Sequence, residues 1–310
     1  MRITLAAAVV VAALVPGVAR ADGLPVQNVD VGRTGVSLGE ARFVTLHSGR
    51  NTVVAKLERN RVVASRVIPG SWTVPAVAYD GSAGGLSSSN LVLIAPRTTF
   101  PRADTGFAFL RARDLELIRT VRLRGDYSYD ASSPDGRRMY LIHYTSPLDP
   151  LRYEVRSFDT HAARLDPRPI VDPRDPGEKM NGDPLTRAYG EGGRWAYTLY
   201  AGSEHPFVHA LDTTKRSARC IDLDWLGGRK DLQTLRLAVG SQDVRVKTAD
   251  GTTLAVIDTG RWKASVPTAS SAVWRWVALA GATLLAAGLV RYVISRRRAA
   301  STSFGGATSA

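Results

Sequence analysis

Few residues of this chain stand in a pattern that catalysis or metal binding requires. The histidines are His47, His143, His161, His205 and His209. The last two, in HPFVH, have the i, i+4 spacing of a metal pair on a helix face. Pro206 and the strand-forming neighbours predict an extended backbone instead, which holds the two rings about 13 Å apart. There is no Gly-x-Ser-x-Gly elbow, no glycine-rich phosphate loop opening a helix and no EF-hand spacing. The acidic stretch DPRDPGEKMNGD, Asp172 to Asp183, has carboxylates enough for calcium, but two prolines and no ligand spacing. Neither a metal site nor a cofactor is expected. Two carboxylates facing each other across a cavity can act as the acid and base of a glycosidase. Asp126 and Glu178 are the candidate pair for that alternative.

The elements that position these residues are strands. Helical periodicity is nearly absent between residues 22 and 270, and short alternating runs bounded by Gly, Pro, Asp, Asn and Ser recur throughout. An apolar residue followed by Asp-Thr occurs in SFDT at Phe158, ALDT at Leu211 and VIDT at Ile257, with looser copies around Leu57 and Leu110. These anchors are separated by 53, 48, 53 and 46 residues. In phase with them run strands beginning at Arg42, Asn90, Arg138, Trp195 and Asp243. A third strand follows each anchor, as LIRTVRL and RCIDL do, and a fourth runs into the turn before the next unit, as in YSYDASSPDG and LTRAYGEGG. The period is a four-stranded meander, present four full times and a half.

The unit spanning residues 127–170, with SPDG at Ser133 to Gly136 and Tyr140 in the following strand, resembles the YVTN and WD40-like β-propeller repeats. More closely, RWAYTLY…EHPFVHALDT…CIDL, Arg194 to Leu223, resembles uncharacterised exported, membrane-anchored propeller-like proteins of high-GC actinobacteria. The likeness covers roughly residues 40–262, but only 133–140 and 194–223 are specific, and other units carry GEGG or VGSQ in place of SPDG. It implies an all-β propeller of four-stranded blades. Five blades are expected, the last half unit being completed by the strand-like residues of Pro25 to Leu38. A six- or seven-bladed ring made with a partner and a pair of packed sheets are the competing architectures.

In such a blade order the SPDG-type turns lie on one face and the candidate site loops on the other. Those loops are PGSW (69–72), RGDY (124–127), DPRDPGEKMNGD (172–183) and DWLGGRKD (224–231), with the hairpin loops RTTFPRAD (97–104), SPLDPLR (146–152) and GSEHP (202–206). Candidate ligand-binding residues on them are Trp72, Asp126, Tyr127, Glu178, Lys179, Met180 and Trp225. The aromatic residues serve equally well as packing between blades, and the long acidic loop as a solvated connector.

The two ends read differently. Residues 1–21 have an early arginine, a short apolar run and Ala19-Arg20-Ala21, which is the pattern of a cleaved secretory signal, with an uncleaved amino-terminal anchor as the alternative. After the domain at 22–266 and a linker at 267–272, residues 273–295 are apolar all round, open with Trp274 and Trp276 and run into Arg296–Arg298. That is a transmembrane helix with a positive-inside flank. Ala278, Ala282 and Ala286 offer a close-packing face for a dimer of such helices. The tail at 296–310 is basic, short and polar. The expected location is the plasma membrane, single-pass, with the N-terminal domain outside the cytoplasm.

Charge argues against a nucleic-acid partner. The formal net charge is +13, but without the arginines of the two end segments 34 basic residues face 28 acidic ones, and they are scattered without a basic, aromatic-interleaved patch. The single cysteine, Cys220, excludes an internal disulfide framework and reads as a small hydrophobe on a strand. The expectation is therefore an extracytoplasmic, membrane-anchored β-propeller that binds a protein, small molecule or glycan without catalysis. The alternative is an exported hydrolase of glycosidase or lactonase type.

Overall fold

The computed structural model describes residues 35–267 apart from 178 and 179. These residues form five antiparallel sheets, each a meander in chain order. The first comprises β1 (Val36–Leu38), β2 (Ala41–Ser48), β3 (Asn51–Glu58) and β4 (Arg61–Pro69). The second has β5 (Asn90–Ile94), β6 (Asp104–Arg111) and β7 (Leu117–Arg124), and the third β8 (Tyr127–Ser132), β9 (Arg138–Tyr144), β10 (Tyr153–Asp159) and β11 (Arg164–Ile170). The fourth contains β12 (Asp183–Gly190), β13 (Trp195–Ala201), β14 (Pro206–Asp212) and β15 (Ser217–Asp222). The fifth is β16 (Arg236–Val239), β17 (Asp243–Lys247), β18 (Thr253–Asp258) and β19 (Lys263–Ser265). Three short 3-10 turns are the only helical elements among the described residues.

Burial follows the position of each strand. The interior strand β14, PFVHALD, is buried at every residue because neighbouring sheets cover both of its faces. The edge strand β7 alternates half-buried Leu117, Arg119, Val121 and Leu123 with exposed Ile118, Thr120, Arg122 and Arg124. Consecutive sheets pack face to face. Phe43, Val54 and Ile68 of the first meet Leu91, Leu93 and Leu110 of the second. Phe107 and Phe109 then meet Met139, Leu141 and Phe158, and Tyr140 and Val155 meet Ala196 and Leu211. Leu199 and Val208 close against Leu235, Val244 and Ile257. This serial stacking of meanders is the arrangement of successive propeller blades.

The repeated Asp-Thr is a structural device. Asp159, Asp212 and Asp258 each use Oδ1 to accept two backbone N–H groups of the hairpin loop that follows, at 2.8–3.0 Å. Four residues beyond each aspartate the chain turns left-handed, at Ala163 (φ 51°), Arg216 (φ 56°) and Trp262 (φ 55°). The side-chain bonds hold residues that have a Cβ in a conformation that costs about 1–2 kcal/mol. The threonine fastens this loop to the preceding turn: Thr160 Oγ1 donates to Gly136 O at 2.7 Å, and Thr213 Oγ1 to Arg194 O at 2.8 Å. Tyr140 joins the third sheet to the fourth by donating its hydroxyl to Thr213 O at 2.6 Å.

One expectation is corrected in part. The fifth sheet has four strands without Val36–Leu38: β16 and β19 supply its outer members, and Val36–Leu38 pairs with Ala41–Phe43 in the first sheet, while residues 25–34 of the expected closing segment lie outside the described residues. The half unit seemed incomplete because Leu237, Ala238 and the three-residue β19 carry little alternation. In the second sheet, the place of a first strand is taken by residues 73–87, held by isolated bridges Thr73↔Ile94, Ala76↔Ala83 and Leu86↔Leu91. The tip of this hairpin reaches across to the first strands of the fourth and fifth sheets. Tyr79 N donates to Pro184 O at 2.9 Å, Asp80 N to Leu185 O at 3.1 Å, and Arg236 Nε lies 3.8 Å from Asp80 Oδ2. The hairpin tip thus ties the second sheet to the fourth and fifth.

No helix among the described residues is long and apolar enough to cross a membrane. The signal segment 1–21 and the apolar segment 273–295 lie outside the described residues.

Candidate functional site: a groove between the third and fourth sheets

Most of the sequence candidates are engaged in packing. Asp126, at the start of the third sheet, is 2 % exposed. Its Oδ1 accepts from Arg97 Nη2 at 2.7 Å and Arg102 Nε at 3.1 Å, and its Oδ2 from Arg102 N at 2.9 Å. Arg102 also donates to the Tyr127 carbonyl, and Arg97 lies over the Tyr144 ring, 4.7 Å from its centroid. Burial and the Arg97 charge lower the pKa of Arg102, partly offset by Asp126. Two guanidinium groups therefore clamp one carboxylate, which leaves it no free oxygen for acid–base work. Glu178 and Lys179 lie outside the described residues. Tyr127 is buried and stacks on His143 with ring centroids 4.6 Å apart. Trp72 packs at the seam of the first two sheets and donates Nε1–H to Pro69 O at 2.6 Å. Trp225 is 40 % exposed and donates to Leu254 O at 3.2 Å.

Met180 is the candidate that the fold brings to a cavity. Three of the loops singled out from the sequence, SPLDPLR, DPRDPGEKMNGD and GSEHP, converge at the same strand ends of the third and fourth sheets. They enclose a groove of about 720 Å³, within the size range of small-ligand sites. Its floor is apolar, from Val155, Ile170 and Met180, and its rim carries Ser146, Arg152, Asn181 and Ser203. Met180, Asn181 and Ser203 also border a smaller hollow of about 180 Å³ with His205 and Asp222.

Hydrogen bonds within and between the loops brace them. Ser146 Oγ accepts from Leu148 N and Asp149 N at 3.3 and 3.1 Å, and Asp149 Oδ1 from Leu151 N at 2.9 Å. Asn181 Oδ1 accepts from Ser203 N and Oγ at 3.4 and 3.2 Å, and the Tyr153 hydroxyl donates to Gly182 O at 2.9 Å. The long loop is anchored at both ends by aspartates with opposite perturbations. Burial would raise Asp172, but Arg174 at 2.6 Å, backbone N–H groups and Arg219 at 3.0 Å hold it at about 2. Asp183 is raised by burial, which the 3.3 Å hydrogen bond from the Tyr79 hydroxyl only partly counters.

Arg152 is exposed, and no carboxylate among the described residues lies within salt-bridge distance of it. Among the described residues the groove thus offers the Arg152 cation, the carboxylates of Asp149 and Glu154, hydroxyl and amide groups, and an apolar floor. Among the described residues no group of three His, Cys, Asp or Glu could hold a metal ion. His205 stands apart from buried His209, with its ring nitrogens 3.0 Å from Asp222 and 3.3 Å from Asp224. Cys220 is half-buried on β15. Arg152, Asn181 and Ser203, which line this groove, are not among the sequence candidates, because their residue types are ordinary in loops. Sequence reasoning also passed over Arg97 and Arg102, although both stand in RTTFPRAD.

No family model matches the chain, and no curated protein matches it. Among solved structures it is similar to the Dos1 propeller, at 9% identity over 74% of this chain and 57% of that one, with a TM-score of 0.38. It is similar to AztD from Citrobacter koseri at 13% identity over 72% and 58%, TM-score 0.35. It is also similar to Kluyveromyces lactis Hsv2 at 9% over 77% and 73%, TM-score 0.44. The chain thus spans less than two thirds of the Dos1 and AztD structures. Likenesses this distant carry no argument about function, and the description as stacked blades rests on the topology above.

Proposed function

We propose that this chain is a membrane-anchored, extracytoplasmic β-propeller module that binds a protein loop, small molecule or glycan in the groove between the third and fourth sheets, without catalysis. The observation that carries this reading is the convergence of three loops, tied by hydrogen bonds within and between them, on a groove with an apolar floor and a polar rim. Side chains already held by such bonds lose less entropy on binding, which favours recognition. The acid–base alternative loses its first member, because Asp126 is held by two arginines. The test is a screen of the purified full-length chain against glycan and peptide arrays, with any hit titrated against Met180→Glu and Arg152→Ala. Binding reduced roughly tenfold or more in both variants supports the groove. Unchanged binding, or turnover of a glycan or lactone, sinks the proposal.

A further inference from the structure

A second hollow lies at the opposite strand ends, where the SPDG turn and the Asp-Thr turns gather. It measures about 820 Å³ and is walled by the Ser133–Gly136 turn, the loop after Asp159 and the edge strand β7. Through Arg138 and Asp159 it continues into a hollow of about 550 Å³ along β11. Arg119, Arg137 and Arg138 line the first part, and Arg164, Arg168 and Arg216 the second.

The three carboxylates of this surface are largely committed. Asp159 Oδ1 accepts the backbone N–H of His161 and Ala162 at 2.9 and 2.8 Å. Asp135 Oδ1 accepts from the Ser133 hydroxyl at 2.6 Å and Arg137 N at 3.0 Å, and its Oδ2 is 3.9 Å from Arg137 Nε. Asp166 pairs with Arg216 at 2.9 Å and Arg168 at 3.7 Å. Arg119 donates only to the neutral His161 carbonyl, at 3.3 and 3.4 Å. For Arg138 and Arg164 no carboxylate among the described residues lies within salt-bridge distance. Six arginines therefore line the two adjoining hollows against three carboxylates, and Arg119, Arg138 and Arg164 make no salt bridge among the described residues, with Asp159 the cross-strand neighbour of the last two. Beside them stands Ile118, 45 % exposed, with Phe109 buried beneath at 2 %.

We propose that this trough docks an extended acidic peptide segment of a partner protein, its carboxylates meeting Arg119, Arg138 and Arg164 and an apolar side chain resting on Ile118. Guanidinium groups suit carboxylate partners by their planar fork. A phosphodiester chain would have no apolar side chain to place on the Ile118 wall. A bilayer surface does not enter a trough between two sheets.

The test uses the purified full-length chain and a fluorescein-labelled octapeptide of glutamates interrupted by two leucines, read by fluorescence anisotropy. Its glutamine counterpart, inorganic polyphosphate and phosphatidylglycerol vesicles are run in parallel. Saturable binding of the glutamate peptide that weakens with salt, and falls by roughly tenfold or more in Arg138→Ala/Arg164→Ala, is the expected result. Arg66→Ala, at an exposed arginine of the first sheet, and Met180→Glu should leave it unchanged. Should the double variant lose its β-sheet circular dichroism, Arg164→Glu alone reads the same effect, since that side chain is exposed and makes no ion pair. Equal binding of the glutamine peptide, full affinity in a folded arginine variant, or Arg138-dependent capture of polyphosphate or vesicles instead of the peptide would overturn the proposal.

Discussion

Arg187 on β12 donates to both the backbone carbonyl oxygen and the carboxylate of Asp130 on β8, and the two side chains are 2 % and 1 % exposed. This pair joins the first strands of the third and fourth sheets where no water can replace either partner. Arg187 Nε and Asp130 Oδ2 have no hydrogen-bond partner, so the pair is only partly satisfied. Removing one member leaves a buried charge alone, and Arg187→Ala or Asp130→Ala should cost about 3–5 kcal/mol. The double variant Arg187→Met/Asp130→Leu should recover much of that loss. Urea denaturation of the four proteins measures it, and additive single losses would show that the pair does not act as a unit.

His209 gives the fold an acid-sensitive element. It is 1 % exposed on β14, and burial pulls its pKa from the usual 6.5 to about 4. Folding therefore favours the neutral ring. Its stabilisation is whole above pH 6.5 and declines as the pH falls toward 4, by up to about 1.4 kcal/mol per pH unit. Thermal unfolding between these limits should show a downward slope that His209→Leu flattens. An unchanged slope would assign the acid sensitivity elsewhere.

Below that window Asp172 takes over. Its folded pKa of about 2 lies under the ordinary 3.8, so its contribution is present above 3.8 and is lost as the pH falls toward 2. Asp172→Asn should lower stability at neutral pH and reduce the additional loss at acid pH. It should also loosen the start of the loop that carries Met180, measurable as faster hydrogen exchange there.

The hairpin at 73–87 tolerates no side chain at two glycines. A Cβ on Gly84 would fall on the Tyr129 ring and within 2.8 Å of Val77 Cγ1, and Gly85 sits at φ +94° against the Val92 carbonyl. Gly84→Ala and Gly85→Ala should each destabilise by about 1–3 kcal/mol. Gly81→Ala at the hairpin tip meets open space at φ +85° and should cost less. Chemical denaturation midpoints rank the three.

The proposed anchor has its own test. A chain ending at Ser270 should appear in the soluble extracytoplasmic fraction, whereas the full-length chain should sediment with membranes and resist salt extraction. A truncated chain that still sediments would assign anchoring to the amino-terminal segment.

Much of the architecture was legible because the period of two in each strand and the Asp-Thr turns are local. Phe158, Leu211 and Ile257 mark hairpins whose loops are built from residues within five positions of the aspartate, so the repeat survives in one dimension. The hairpin VPAVAYDGSAGGL was not legible: its small residues lack alternation, and its partners, Pro184, Leu185 and Arg236, lie more than a hundred residues away. The candidate site divides in the same way. Loops were recognisable by proline, glycine and acid content, but whether a given side chain lines a groove depends on which loops meet.

The sequence by itself determined most strands of the meanders, their order and the turns between them, because hydrogen-bond pairing between adjacent strands is dictated by alternation and by turn residues. Only the tertiary structure decided what each polar residue is for. Asp126 became an arginine-clamped strut and Met180 the floor of a groove, while the SPDG turn became one wall of an arginine-lined trough. Burial and charge pairing arise between sheets, from residues that the chain order keeps far apart.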